Sequence, residues 1–495
     1  MPWTDSPRTN RAIALLLGAV SVAAFAPTGA FPVLWLSLAG LFALLTRLAD
    51  ANAPTRDGAI LGSCFGAGFF LSGVSWVYVS LSIFGGMPAP VAGLATLLFC
   101  VGMSLYPALA GALFVRFAPV GWRRALFFAA AWTLTEWLRG WFLTGFPWLA
   151  AGYSQTPPSP LAGFAPIVGV YGVSLLTALV GGLFALAIRP ATRWKSLGAI
   201  AVLLLSGFLL LQHTWTSPHG EPVRVALLQG NVAQDLKWRP EKFEESLRTY
   251  YQLMHDSPAQ LTVLPETALP VFLDQVPPDY LEALTAQAAR QRGDLLFGIV
   301  TGDRHEYANS AVSLGASGEQ RYDKSHLVPF GEFIPPGFAW FMAMANIPMS
   351  EFTRGAEAQK PMRLAGLNAA INICYEDAFG EEIIRALPEA DVLINISNVA
   401  WFGDSLAPPQ HLQIARMRAL ETGRMMLRAT NTGMTAIVGA DGRVHHALPP
   451  FTRAALSGEV RAYSGSTPYV RWGNGPIVVV ALLILCFMRR RNALS

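Results

Sequence analysis

Only four acidic side chains, Asp5, Asp50, Asp57 and Glu136, precede Gln212, although the 495-residue chain has 32, and none follows Val470. Long stretches without carboxylates can fold in water only if other apolar surface covers them. Hydrophobic residues make up 53% of this chain and charged residues only 14%, against about 25% charged in an average soluble domain. That balance excludes an ordinary water-soluble globule, and it excludes disorder because the chain is far too apolar to stay unfolded. The acidic residues therefore divide the sequence into a membrane part (1–212), a water-soluble part (213–470) and a short membrane tail (471–495).

A helix crosses a bilayer with about 20 apolar residues. Segments 11–27, 31–48, 58–80, 88–115, 124–144, 160–188, 195–212 and 472–488 meet that description, giving an expectation of eight spans, seven before the soluble part and one after. The segments 58–80 and 88–115 are Gly-rich and interrupted near Pro88 and Pro90. Arg11, the apolar stretch after it and small residues near Ala30 also fit a signal peptide, but a second apolar segment follows within a few residues, which favours a retained span.

Basic residues cluster in alternate loops: Arg8 and Arg11, then Arg47 and Arg56, then Arg116, Arg123 and Arg124, then Arg189, Arg193 and Lys195, and last Arg489, Arg490 and Arg491. Loops 81–87 and 145–159 carry no Lys or Arg. The positive-inside rule then puts both termini in the cytoplasm and residues 213–470 on the other side. A net charge of +4 held at membrane edges gives no footprint for nucleic acid. Within a span, Glu136 and Arg139 share a helix face at i and i+3. Charge at that depth is costly, so the pair is expected to face the bundle interior, as a structural bridge or as a holder of a polar lipid head group. The aromatic, uncharged loop from Trp141 to Trp148 fits an interfacial belt, or a rim for lipid entry.

After Pro222 short β-rich runs alternate with amphipathic helical stretches. Strands are expected at Val223–Asn231, Leu261–Leu264, Asp294–Thr301, Asn309–Leu314, Ala369–Cys374, Val392–Ser397, Leu427–Thr430 and Thr435–Val438, with helices at Glu241–His255, Asp279–Gln291 and Gln410–Arg424. Continuous apolar strands such as VLINIS and AAINIC imply sheets covered on both faces, an α/β arrangement. Cys64, Cys100 and Cys486 fall in the apolar spans and fit small buried hydrophobes. Cys374 is the one cysteine of the soluble part. If that part faces an oxidising compartment, a lone thiol has no disulfide partner and is a liability unless it is used.

Three strand ends carry acyl-transfer chemistry. Cys374 follows Ala369–Ile373, Glu266 follows Leu261–Pro265, and Lys324 follows Arg321–Asp323. The carboxyl edge of an open α/β sheet is where such folds hold ligands. A thiol attacks a carbonyl as thiolate, a nearby ammonium lowers its pKa, and a carboxylate can take its proton. The ammonium also stands where charge develops on a tetrahedral oxygen, often worth ~3 kcal/mol or more. None of His255, His305, His326, His411, His445 and His446 has metal-ligand spacing, and no phosphate-loop or cofactor motif occurs, so neither metal nor cofactor is expected. His411 and Arg416 lie on a helix that can line the site.

The wording around these residues resembles a known superfamily. LPETALP (264–270), YDKSHLVPFGEFIP (322–335) and INICYEDAF (371–379), in that order, resemble the nitrilase superfamily, whose members carry a Glu–Lys–Cys triad on an αββα sandwich. The stretch WFGDSLAPPQHLQIARMRALETGRMMLRATNTG (401–433), with spans before and after the soluble part, narrows the resemblance to the apolipoprotein N-acyltransferase family of bacterial inner membranes. That resemblance implies a membrane α-helical bundle joined to an α/β nitrilase-like domain. It implies Cys374 as nucleophile, Glu266 as general base and Lys324 as transition-state stabiliser. Glu332 matches a second glutamate that orients the lysine, Tyr375 and Glu376 match the family's CYE, and Trp238, in DLKWRP, matches a tryptophan of such sites. Leu264 departs from the aromatic of the WPE pattern.

The implied reaction moves an acyl chain from a phospholipid, phosphatidylethanolamine by resemblance, through a Cys374 thioester to the α-amine of a diacylglyceryl-cysteine on an apolipoprotein. Both substrates are lipids, which suits a membrane enzyme. Within 333–352, Phe338, Trp340, Phe341 and Met344 give an apolar loop, expected as a lid dipping into the outer leaflet or as a packed surface loop. The nearest rival is a membrane-anchored amidase hydrolysing a C–N bond with the same triad. A transporter would need charges along a pathway, and the spans offer only Glu136 and Arg139. A triad-dead binding module is disfavoured because every catalytic residue type is present.

Overall fold

The computed structural model describes residues 6–234, 240–303, 305–335, 337 and 351–489. They fall into two compact units, one spanning 1–78, 89–214 and 471–495, the other 79–88 and 215–470.

The first unit is all-helical. Its main helices are Pro7–Ser21, Pro32–Asp50, Thr55–Gly73, Ala89–Phe117, Arg123–Arg139, Ala165–Ala187, Arg193–Leu210 and Gly475–Met488. Each of the eight apolar segments overlaps one of them, but among the described residues only four elements qualify as spans by length and composition: Pro32–Asp50, Ala89–Phe117, Pro160–Ala187 and Arg193–Leu210. Thr55–Gly73 with Val77–Phe84, bent by 55°, makes a fifth if counted as one. Pro7–Ser21 has 15 residues and Gly475–Met488 has 14, and Arg123–Arg139, with 17, carries four charges. The expected count of eight is thus not reached by this measure, because 3-10 turns (Val22–Ala24, Phe142–Thr144) take up part of two segments and a turn at Gly473–Asn474 interrupts a third. Several helices nevertheless present apolar faces suited to lipid, and small residues let them approach. A Cβ at Gly62 would lie 2.1 Å from the Pro107 carbonyl oxygen and one at Gly111 would lie 2.3 Å from that of Gly58, the small-residue contact typical of helices packing in a membrane.

The buried charges of Arg123–Arg139 serve the chain that follows. Glu136 accepts from Trp132 Nε1 at 2.8 Å and from Ala151 N at 3.0 Å. Arg139 donates to the carbonyls of Phe146 and Trp148 and lies over the Phe70 ring, 5.2 Å from its centroid. Both side chains thus pin the 146–151 loop, which gives the pair a structural role.

The second unit holds two six-stranded sheets. One has the order β12-β1-β2-β3-β4-β5, from β1 (Thr216–Gln229), β2 (Leu261–Val263), β3 (Asp294–Gly302), β4 (Tyr307–Gly315), β5 (Gln320–Asp323) and β12 (Ala454–Gly465). The other has the order β11-β10-β9-β8-β7-β6, from β6 (Met362–Leu364), β7 (Leu367–Ile373), β8 (Val392–Ser397), β9 (Met426–Thr430), β10 (Ala436–Val438) and β11 (Val444–Ala447). In each sheet three parallel strands, β1-β2-β3 or β7-β8-β9, are flanked by antiparallel ones. Val225, Leu227, Val263, Leu296, Ile371, Ile373, Ile394, Ile396 and Leu427 interdigitate between the sheets. The outer face of the first sheet packs on helices Pro240–Asp256 and Pro278–Arg290 through Tyr250, Met254 and Leu284. The outer face of the second packs on Ala407–Thr422 through Leu412, Ala415 and Ala419. The layers run αββα, as the α/β expectation required.

Candidate active site

Three loops leaving the sheets converge on one enclosed space. Past β2, the chain stays bonded to β3 through Leu264 N to Leu296 O (2.8 Å) and Ala268 N to Gly298 O (2.9 Å), and this fixes Glu266 between them. Lys324 follows β5 directly, with its N–H donating to Asn309 O on β4 at 2.8 Å. Glu332 closes a turn in which its Oε2 accepts from Val328 N at 2.8 Å.

Cys374 reaches the same space by breaking the β7 alternation. Asn372 lies two residues earlier, so a regular strand would send Cys374 to the outer face with it. Its φ is +54°, a left-handed conformation that costs a non-glycine residue energy and clusters at functional sites. The thiol instead packs with the inter-sheet cluster.

The electrostatics are tightly drawn. Lys324 Nζ lies 2.8 Å from Glu332 Oε1 and 3.3 Å from Glu266 Oε1, with the lysine only 1% exposed. Burial works against the ammonium, but Glu332, Glu266 and Cys374 outweigh it and hold Lys324 above its ordinary value. Burial pushes the Cys374 thiol up to about 12, with Glu266 and Glu332 adding to the push and Lys324 and Arg428 opposing it. In the resting site the sulfur is therefore protonated and the lysine charged. Attack requires a base within reach, and a carboxylate shares the enclosure.

Glu376 works from behind. Its Oε2 accepts from Ile373 N (2.6 Å) and Tyr322 Oη (3.0 Å), and its Oε1 from Ser325 N (2.7 Å), Ser325 Oγ (2.9 Å) and His326 N (3.0 Å). One carboxylate thereby ties the turn bearing Cys374 to the chain that follows Lys324. Tyr375 is buried, edge-on to Phe379 with ring centroids 5.0 Å apart. Trp238 lies outside the described residues, as do Phe338, Trp340, Phe341 and Met344 of the expected lid.

The sequence reading passed over several polar side chains that complete the site. Asn309 Nδ2 donates to Glu266 Oε1 at 2.7 Å and to Glu332 Oε1 at 2.9 Å, a neutral donor shared by two like charges. Asn398 N donates to Glu266 Oε2 at 2.8 Å and its side chain to Gln234 at 2.8 Å. Asn309 opens the predicted strand Asn309–Leu314. A signal exists there, since a buried strand has no packing reason to hold an asparagine.

Residues 17–183 match the model described as apolipoprotein N-acyltransferase N-terminal domain, and residues 224–469 match the carbon-nitrogen hydrolase model. Among relatives, the chain is 48% identical to an apolipoprotein N-acyltransferase from Nitrosomonas europaea, over 97% of this chain and 98% of that one. It is 47% identical to one from Ralstonia nicotianae, over 97% and 94%. Among solved structures, a CN-hydrolase superfamily protein from Xanthomonas campestris matches with TM-score 0.38 and 16% identity, over 53% of this chain and 97% of that one.

Proposed function

The chain belongs to the apolipoprotein N-acyltransferase family, and from that premise we propose how its residues carry acyl transfer. The enzyme moves a fatty acyl chain from a phospholipid to the α-amine of the N-terminal diacylglyceryl-cysteine of an apolipoprotein. Phosphatidylethanolamine is the proposed donor.

In the first half, Glu266 takes the Cys374 proton while the sulfur attacks the ester carbonyl of the donor. The tetrahedral oxyanion forms beside the Lys324 ammonium, which needs no reorientation because Glu332 and Glu266 already hold it. The C–O bond breaks, Glu266 returns the proton to the lysophospholipid alkoxide, and a thioester remains on Cys374. In the second half, the acceptor amine attacks the thioester, Glu266 takes the amine proton, and the C–S bond breaks to leave an amide. The departing thiolate then recovers the proton from Glu266. Asn309 donates to both carboxylates and holds them in place beside the ammonium.

The observation that carries this reading is the meeting, in one buried space, of a thiol, a doubly paired ammonium and a carboxylate delivered by three separate strand ends. Residues 1–212 and 471–495 are proposed as an eight-span anchor in the bacterial inner membrane, with residues 213–470 as the catalytic part on the periplasmic side. The short helices Pro7–Ser21, Arg123–Arg139 and Gly475–Met488 then cross with their flanking turns.

Incubation with phospholipid alone, followed by intact-mass measurement, tests the chemistry. A long-chain acyl adduct on Cys374 is expected, discharged by a diacylglyceryl-peptide amine and only slowly by water. Prompt discharge by water without amide product would instead favour the amidase.

A further inference from the structure

A second polar cluster lies on the other side of the nucleophile turn, and the acyl-transfer steps above leave it without a task. Asn372 on β7, Asn395 on β8 and Arg428 on β9 occupy one register across the three parallel strands, and all three are buried. They share the outer face with Ala370, Leu393 and Met426, which pack under helix Ala407–Thr422. Asn395 Nδ2 donates to Asn372 Oδ1 (2.6 Å) and to the Cys374 carbonyl (3.1 Å). Arg428 Nη1 donates to Asn395 Oδ1 (2.6 Å) and to Asp377 Oδ2 (2.9 Å). His411 Nε2 closes the row on Asp377 Oδ1 at 2.7 Å.

We propose that this row, Asn372–Asn395–Arg428 closed by Asp377 and His411, is the positioning device of the nucleophile. It grips the Cys374 carbonyl to hold the left-handed turn that aims the thiol between the sheets, and it stations a fixed cation behind that thiol. The inference rests on the reading of Cys374 as the acyl carrier. A hydrophobic strand centre would have been simpler to fold, since a buried guanidinium is costly to desolvate. The Nε and Nη2 groups of Arg428 are buried and have no hydrogen-bond partner among the described residues. That cost makes sense only if the charge itself is used. Burial and the neighbouring Arg428 charge hold His411 below the ordinary imidazole value. The groups bearing on the Cys374 thiol are Glu266, Glu332 and Lys324 from the first sheet's side and Arg428 from behind; replacing Arg428 removes the last and leaves Asp377 and His411 without its charge.

The test uses the full chain in lipid micelles, as wild type, Arg428→Met, Arg428→Lys and Asn395→Ala. Three quantities are read for each: acyl-enzyme formation with phospholipid alone, the pH profile of Cys374 alkylation by iodoacetamide, and the melting transition. Arg428→Met is expected to slow acyl-enzyme formation tenfold or more at unchanged phospholipid KM and to move the alkylation profile to higher pH. Arg428→Lys should restore the profile. Asn395→Ala should slow acylation comparably while leaving the profile in place, because it loosens the turn without removing the charge. Wild-type acylation in a folded Arg428→Met chain, or a loss confined to KM, overturns the proposal. If that variant shows no cooperative melt, wild-type acylation by Asn395→Ala overturns it. Cys374→Ser separates the two readings: continued acyl transfer in that variant refutes the nucleophile assignment itself, whereas its inactivity beside unaffected row variants refutes only the positioning device.

Discussion

In the proposed mechanism Cys374 is a nucleophile kept protonated until it is needed, and the causes of its raised pKa give the proposed base, Glu266, two opposed effects. As a base Glu266 accepts the thiol proton, yet its resting negative charge, second only to burial, helps push that thiol up to about 12. The two roles separate in a Glu266→Gln variant. Acyl transfer should fall by about 10²–10⁴, the usual contribution of a general base. Alkylation of Cys374 by iodoacetamide at pH 9 should become several-fold faster than in the wild type, because the repelling charge is gone and the thiolate fraction rises. Measured rates of both reactions on one preparation decide this, and slower alkylation would show that the carboxylate does not repel the thiolate. The sign for stability follows from the same shift. The folded chain holds this proton above the ordinary thiol value of 9.0, so the group contributes stability below that value, and the contribution is lost as pH rises toward 12.

The elements that hold these residues were legible to different degrees. Apolar length announced the helices of the first unit, and strands β2, β3, β7 and β8 were visible as continuous apolar runs because both of their faces are covered. β6 and β11 are not legible, since strands this short without a continuous apolar run leave no pattern to count. β12 was missed although it has 12 residues, because its Ser-Gly-Glu-Val-Arg sequence is that of a partly exposed edge and its partner, β1, lies more than 200 residues away. The triad stood out because Glu266, Lys324 and Cys374 end recognisable runs. Asn372 and Asn395 sat inside VLINIS and AAINIC, which were read as purely apolar, although each asparagine occupies the matching place in its run. Strand geometry also sets a test at this scale. A Cβ on Gly298 of β3 would lie 2.5 Å from Glu266 Cα and 2.6 Å from Thr267 N, and backbone cannot yield as a side chain tip does. Gly298→Ala should therefore lower stability by about 1–3 kcal/mol, the range for overpacking. It should also cut acyl transfer by about a hundredfold, as expected when a catalytic group moves about 1 Å. Gly198→Ala, with nothing within 4 Å of the added carbon, is the matched control for thermal melting and turnover. Equal behaviour of the two variants would remove β3 from the positioning of Glu266.

For the molecule as a whole, the governing constraint is which side of a bilayer each part occupies. An arginine at the centre of a spanning helix costs roughly 2.5–3.5 kcal/mol by insertion measurements, so clusters such as Arg189, Arg193 and Lys195 or Arg489–Arg491 resist translocation. The 28 acidic residues between Gln212 and Val470 oppose nothing, since acidic side chains weigh little in that rule. In the proposed orientation, with both basic clusters in the cytoplasm, helix Arg193–Leu210 carries the chain across once before β1 and Gly475–Met488 brings it back. Single cysteines in a chain whose four native cysteines are replaced test this in spheroplasts. Ala191→Cys and Ser217→Cys are both on exposed positions and flank the Arg193–Leu210 helix. A membrane-impermeant maleimide should label position 217 in intact spheroplasts and position 191 only after lysis. The reverse pattern would invert the protein, and equal labelling would mean that Arg193–Leu210 does not cross. The reverse pattern would put Cys374 on a side where the acceptor amine of an exported lipoprotein cannot reach it; in the proposed orientation the crossing that segregates the basic residues also delivers the thiol to its substrates.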